Sequence, residues 1–220
     1  MSDIEKAEIS ANSLPPHARS SPQPRRRIAN PGPLGLFSFA STTLILSLYN
    51  AQARHITVGN AVVGMALFCG GLAQLLAGMW EFATGNTFGA TAFTSYGAFW
   101  LSYATLLIPG SGISDAYDGS GQEDNALGIY LITWMIVTFF FLLASLRRSA
   151  GFISLFVMLT LTFMLLAISK FLDKPLVGKA GGGTGVVTAF IAYYCGMCEL
   201  LTAEDFFTLP IGRIPPRRLD

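Results

Sequence analysis

The sequence predicts an all-α membrane protein, a bundle of six transmembrane helices with both ends of the chain in the cytosol. Three observations carry this reading. Hydrophobic residues make up 52% of the 220 residues and charged residues 12%, about half the charged share of a soluble domain. The charges are clustered, and they leave six uncharged stretches: Ile28–Ala53, Ile56–Trp80, Phe82–Ser114, Asn125–Leu146, Ser149–Ser169 and Ala180–Cys198. Each is close to the roughly 20 residues that a helix needs to cross a bilayer core. Finally, basic residues concentrate at alternate ends of these stretches, as the excess of Lys and Arg in cytosolic loops requires.

The elements follow in order. Residues 1–29 are polar, with Pro15, Pro16, Pro22 and Pro24, and read as a disordered cytosolic tail. Helices are expected near 34–50, 60–80, 88–108, 126–146, 151–171 and 185–203, giving a transmembrane domain over 30–208 and a cytosolic tail over 209–220. In lipid every backbone polar group must be satisfied internally, and these runs lack the alternation of a β-barrel, so helices are the reading. Arg25, Arg26 and Arg27 precede the first helix, Arg147 and Arg148 join the fourth and fifth, and Arg213, Arg217 and Arg218 follow the sixth. The acidic loop 109–125 falls on the other side, together with Arg54, Lys170, Lys174 and Lys179, and the balance favours both termini inside.

Several classes are excluded or weakened. The net charge of +1 supplies no basic field for nucleic acid. Three cysteines make no disulfide framework, and Cys195-Gly-Met-Cys198, though at redox spacing, lies in a membrane helix and reads as packing. No signal-peptide pattern opens the chain. No nucleophile–base arrangement, metal-ligand cluster or phosphate loop is visible, so neither an enzyme nor a metal or cofactor is expected.

The polar residues inside the spans remain to be explained. Thr87, Thr91, Thr94, Ala98, Ser102 and Thr105 share one face of the third helix. They read either as helix–helix contact or as a weakly polar pore wall. Glu81 closes the second span and Glu199 lies near the end of the sixth, with no Lys or Arg inside any span to pair with them. Each is either solvated at the interface or turned to the bundle interior, where a carboxylate borders water or takes a proton. Gly85-Asn86-Thr87 suggests a turn whose side chains bond Glu81. Asn30-Pro31-Gly32-Pro33 suits a helix start, with the Asn30 side chain accepting from the Gly32 amide. Gly70, Gln74 and Gly78, with Ala66 and Ala77, form a small-residue face on the second helix. The glycines 181–185 lie at a span edge and read as close packing or a flexible turn.

Two segments carry a resemblance. NPGPLGLFSFASTTLIL (Asn30–Leu46) resembles the NPxPLGL signature of the acetate uptake transporters, and EFATGNTFGATAFTSYGAFW (Glu81–Trp100) resembles that family's second signature. The closing LPIG (Leu209–Gly212) is similar as well. The resemblance covers about residues 30–212. It implies a homo-oligomer, a hexamer, in the fungal plasma membrane, with one pathway per protomer for acetate or a similar small carboxylate. It implies a constriction of Phe39, Tyr96 and Leu159, and it marks Asn30, Pro31, Leu34, Gly35, Asn86, Thr87, Thr91 and Thr94 as motif or substrate-binding residues. Glu81 and Glu199 become candidates for proton coupling. The alternatives are ammonium export, or a membrane sensor of acid or ammonia status.

Overall fold

The structure is a computed structural model and describes residues 28–215. The N-terminal tail expected over 1–29, apart from its last two residues, lies outside the described residues, as do Arg217 and Arg218. Six long helices run up and down: α1 (Gly32–Asn50), α2 (Val62–Thr84), α3 (Thr87–Leu107), α4 (Glu123–Ser145), α5 (Ala150–Leu172) and α6 (Pro175–Leu200). Each boundary has a local cause. Asn30 Oδ1 accepts from the Gly32 amide at 2.9 Å and satisfies one free donor of α1. Gly85 ends α2 in the left-handed conformation at φ +84°, which costs glycine least. Asn86 and Ser149 cap α3 and α5 through Gly89 N and Phe152 N, both at 3.2 Å, and Pro175 opens α6.

Four of the six, α1, α2, α4 and α5, are long and apolar enough to cross a membrane by length and composition. Hydroxyls along α3, and glycines with Lys179 in α6, dilute the hydropathy of the other two. The expected sixth helix is corrected at its start. It begins at Pro175 rather than near 185, and the glycine run is helical. The reason is packing, because a Cβ on Gly182 would meet the Asn50 carbonyl carbon and the Ser47 carbonyl oxygen, each at 2.8 Å. Only glycine lets α6 lie this close to the end of α1.

The helices pack as a ring in which α1 touches α6 and α2, α2 touches α3, α4 touches α5, and α5 touches α6. Between α3 and α4 the gap is filled by aromatic side chains. Phe99 packs on Tyr130 and Trp134 with ring centroids at 5.9 and 5.0 Å, and Ser102 bonds Tyr130 at 2.7 Å. Association in lipid rests on such packing and hydrogen bonds rather than on a hydrophobic drive. Within α2, Met65–Ala73 forms a π-helix, a wide turn that shifts the helix register. After α6 the chain folds back. Ala150 N donates to Gly212 O at 2.8 Å and Ile214 N to Arg148 O at 3.1 Å, so residues 211–214 are tied to the start of α5.

Candidate functional site: two cavities meeting at Phe39

The interior holds two cavities, and Phe39 of α1 lines both. The larger, about 270 Å³, opens toward the ends of α1, α3 and α5 and is bounded by Phe39, Thr43, Phe99, Trp100, Leu159 and Thr162 among others. The smaller, about 40 Å³, has room for roughly three waters. Its walls include Phe39, Gln74, Glu81, Asn86, Tyr96 and Glu199. Phe39 packs against Tyr96 with ring centroids 5.5 Å apart. Tyr96 borders the small cavity and Leu159 the large one. All three side chains are buried. Tyr96 is oriented from α4: its hydroxyl lies 2.9 Å from that of Thr138, and Thr138 already donates to Trp134 O at 2.7 Å. Tyr96 is therefore the donor, and its ring is fixed.

Glu81 is buried inside the last turns of α2. Its Oε2 accepts from Asn86 Nδ2 at 2.9 Å and from Thr84 Oγ1 at 3.3 Å. Asn86 thus holds the carboxylate with its amide while capping α3 with its carbonyl. Glu199 is half-buried, and its carboxylate lies over Gly32 at the start of α1, where a Cβ would collide with it. The Asn30 amide donates to the Glu199 carbonyl oxygen at 3.3 Å. Beyond this cavity lie two open mouths. One is bordered by Asn30, Arg148, Ser149, Glu199 and Arg213, the other by Asn30, Pro31, Glu81 and Asn86.

The remaining residues singled out by the sequence do not converge here. Leu34 is exposed, whereas Gly35 is buried beneath the Phe93 ring. Of the two readings of the α3 stripe, the pore wall is corrected: Thr87, Thr91, Ala98 and Thr105 face out of the bundle, and Ser102, also exposed, meets Tyr130 of α4. Thr91, Ser102 and Thr105 donate to carbonyls of their own helix, Thr87 O, Phe99 O and Ser102 O. Thr94 turns toward α2, where Gly78 makes room for it. The periodicity of this stripe was real, but on a helix it cannot say which way a face points.

Conversely, three polar groups that line the cavities were not read as site residues. Thr43 Oγ1 and Trp100 Nε1 border the large cavity, Gln74 borders the small one, and all are buried without a partner among the described residues. For Gln74 a signal existed: it is the lone amide in α2 and the first strongly polar side chain of that helix.

A helical bundle with apolar outer faces, enclosing paired cavities that carry unpartnered polar groups, is the architecture of a membrane protein built to receive a small polar solute. The chain belongs to the GPR1/FUN34/yaaH family, whose model matches residues 11–216. It is 46% identical over 189 residues to "Ammonia transport outward protein 2" of Saccharomyces cerevisiae, covering 86% of this chain and 67% of that protein. It is 42% identical over 202 residues to "Acetate permease A" of Emericella nidulans, covering 86% and 68%. The structure is similar to that of the bacterial acetate channel SatP, with a TM-score of 0.76, 38% identity, and coverage of 84% of this chain and 100% of the other. The chain spans about two thirds of the length of these fungal relatives.

Proposed function

We propose that this chain is a transporter or channel for acetate and other small monocarboxylates, and not an enzyme. In this reading all six helices span a fungal plasma membrane, with the ends of the chain in the cytosol, and the protein assembles as a homohexamer with one pathway per protomer. Residues 1–29 and 209–220 are cytosolic segments flanking a membrane domain over 30–208. Phe39, Tyr96 and Leu159 form the constriction, Asn30, Pro31 and Asn86 shape its cytosolic mouth, and Glu81 and Glu199 couple the cargo to protons.

The observation that carries the reading is the pair of cavities separated by Phe39. Above it, Trp100 Nε1 can only donate and Thr43 Oγ1 is free to donate. A carboxylate, which only accepts, suits both. Among the described residues no Lys or Arg lies on the cavity walls near Phe39, and Lys170 at the outer rim is paired with Asp124 at 2.7 Å. An anion therefore meets donors without a fixed charge to trap it, as passage requires. The outward face of α3, small and hydroxyl-rich, suits contact with a second copy. Acetate permeation in the named relatives points the same way.

Uptake of labelled acetate into liposomes holding the purified protein tests this. Uptake above empty liposomes that saturates with acetate is expected, and its absence with intact protein would favour a sensor. Ammonium export is the second reading, supported by the two carboxylates on the small cavity and by the name of the yeast relative. It predicts ammonium flux in the same liposomes.

A further inference from the structure

We propose that Thr138 of α4 is a positioning residue for the narrow point: by accepting the Tyr96 hydroxyl it holds the Tyr96 ring against Phe39, and so sets the size of carboxylate that passes. This rests on the transport reading above.

The first observation is that Tyr96 is held at both ends and Phe39 is not. The Tyr96 backbone belongs to α3, and its hydroxyl meets that of Thr138 on α4 at 2.9 Å. Thr138 is 0% exposed, and its own proton goes to Trp134 O at 2.7 Å. It therefore offers Tyr96 an acceptor and no donor. Phe39 has no polar side-chain atom and is held by packing alone. Of the two rings, whose centroids lie 5.5 Å apart, Tyr96 is the one with an anchor. The bond also keeps the hydroxyl occupied, so Tyr96 presents its ring to the small cavity rather than a free donor.

The second is a socket shaped for one ring. Trp134, Thr138 and Phe141 are spaced by four and three residues, which puts them on one face of α4. Tyr96 packs against Trp134 and Phe141 with ring centroids at 6.1 and 5.7 Å, and its hydroxyl rests on the residue between them. The two rings give the socket its shape. Thr138 gives it direction, because a hydrogen bond weakens steeply with angle whereas packed rings tolerate several arrangements.

The third is that α4 has no other hold on the narrow point. Among the described residues none of α4 lines the small cavity, and Leu127 and Leu131, which line the large one, stand about two turns or more from Thr138. Tyr130, which meets Ser102 Oγ at 2.7 Å and Phe99 O at 3.3 Å, is likewise about two turns away. A buried hydroxyl that loses its partner is costly until it finds another. For Tyr96 the nearest open space is the small cavity that its ring already borders. Without the Thr138 acceptor the ring therefore shifts toward that cavity, its packing on Phe39 is lost, and the narrow point changes shape.

The test reads uptake of lactate relative to acetate in liposomes holding the purified full chain. It compares the parent with Thr138→Val, Thr138→Ser, Tyr96→Phe and the double variant of Tyr96→Phe with Thr138→Val. Thr138→Val keeps nearly the same outline and removes the acceptor, so the lactate-to-acetate ratio should rise about threefold or more. Thr138→Ser keeps the hydroxyl and should stay within about twofold of the parent. Tyr96→Phe breaks the same bond from the other side and should raise the ratio as Thr138→Val does. Adding Thr138→Val to Tyr96→Phe should then change the ratio by less than about twofold, because no hydroxyl is left to hold. A parental ratio in an intact Thr138→Val protein overturns the assignment. So does a Thr138→Val effect of equal size with and without the Tyr96 hydroxyl, or a Thr138→Ser protein that behaves as Thr138→Val. If Thr138→Val does not assemble, a parental ratio in Tyr96→Phe overturns it. A parent that moves no acetate overturns the transport reading, and this assignment with it. A parent that moves acetate beside variants of parental ratio overturns the assignment alone.

Discussion

The two faces of α3 differ in what their polar atoms do. Outward, Thr91 and Thr105 give their hydroxyl protons to carbonyls of α3 itself. Inward, Tyr96 gives its proton across the bundle to Thr138 and packs against Phe39, and Trp100 keeps an indole N–H with no partner among the described residues. The richer row of hydroxyls is the one that is chemically spent. Polarity counted along a helix therefore locates a solute path poorly, whereas buried, unpaired polar atoms that also line a cavity, as Thr94 Oγ1 does not, locate it better.

The strongest way to break this contrast is to push the two faces out of register. Gly97 lies where α3 crosses α2, and a Cβ there would meet the Leu75 backbone nitrogen at 2.8 Å and its Cα at 2.9 Å. Backbone cannot move aside cheaply. Gly97→Leu is expected to abolish folded protein, seen as loss of the monodisperse peak in size-exclusion chromatography. A monodisperse Gly97→Leu protein would mean that α2 and α3 are less closely packed than described.

Next comes Phe39, the side chain shared by both cavities. Truncation to Ala should merge them. The loss of a buried ring costs about 3–5 kcal/mol, which six packed helices can tolerate. Relative uptake of lactate or succinate over acetate should rise about tenfold or more in liposomes. An unchanged substrate profile in an intact Phe39→Ala protein would remove Phe39 from any constriction.

Glu81 sharpens the inward side. In Glu81→Gln the oxygen that accepts from Asn86 is kept and the charge is lost. The melting temperature should move by no more than a few degrees, while acetate uptake should lose its response to an imposed pH gradient. Parental gradient dependence would leave Glu199 as the coupling candidate among the spans.

Much of the fold was legible in the sequence because charge placement and span length are one-dimensional quantities. Asn30, Gly85 and Asn86 were readable as caps and turns for the same reason, since their partners lie within a few residues. What escaped was set by the third dimension. The glycines 181–185 left close packing and a turn both open; they are helix, and Gly182 and Gly185 lie tight against Ser47 and Asn50 of α1. The outward turn of the α3 stripe depends on where α2 and α4 sit. The inward turn of Gln74 depends on a π-helix that no local pattern announces. Phe39 and Tyr96 stood out through the signatures that they occupy, not through any periodicity of their own.

The smallest effect should come from the outward hydroxyls. Thr91 donates to Thr87 O at 2.8 Å, a carbonyl on its own helix. Valine has nearly the same shape, and removing such a bond costs about 1 kcal/mol at most. Thr91→Val, and Thr105→Val by the same reasoning, should keep acetate uptake within twofold and the melting temperature within a few degrees of the parent. A charge at the same place is a different matter. Thr91→Lys would set an ammonium either in lipid or between copies, so it should disturb assembly while leaving the cavities of each protomer untouched. The pair of variants thus separates the two possible uses of this face. A monodisperse Thr91→Val protein whose uptake falls tenfold would show that an outward hydroxyl takes part in passage, and the contrast between the two faces of α3 would fail.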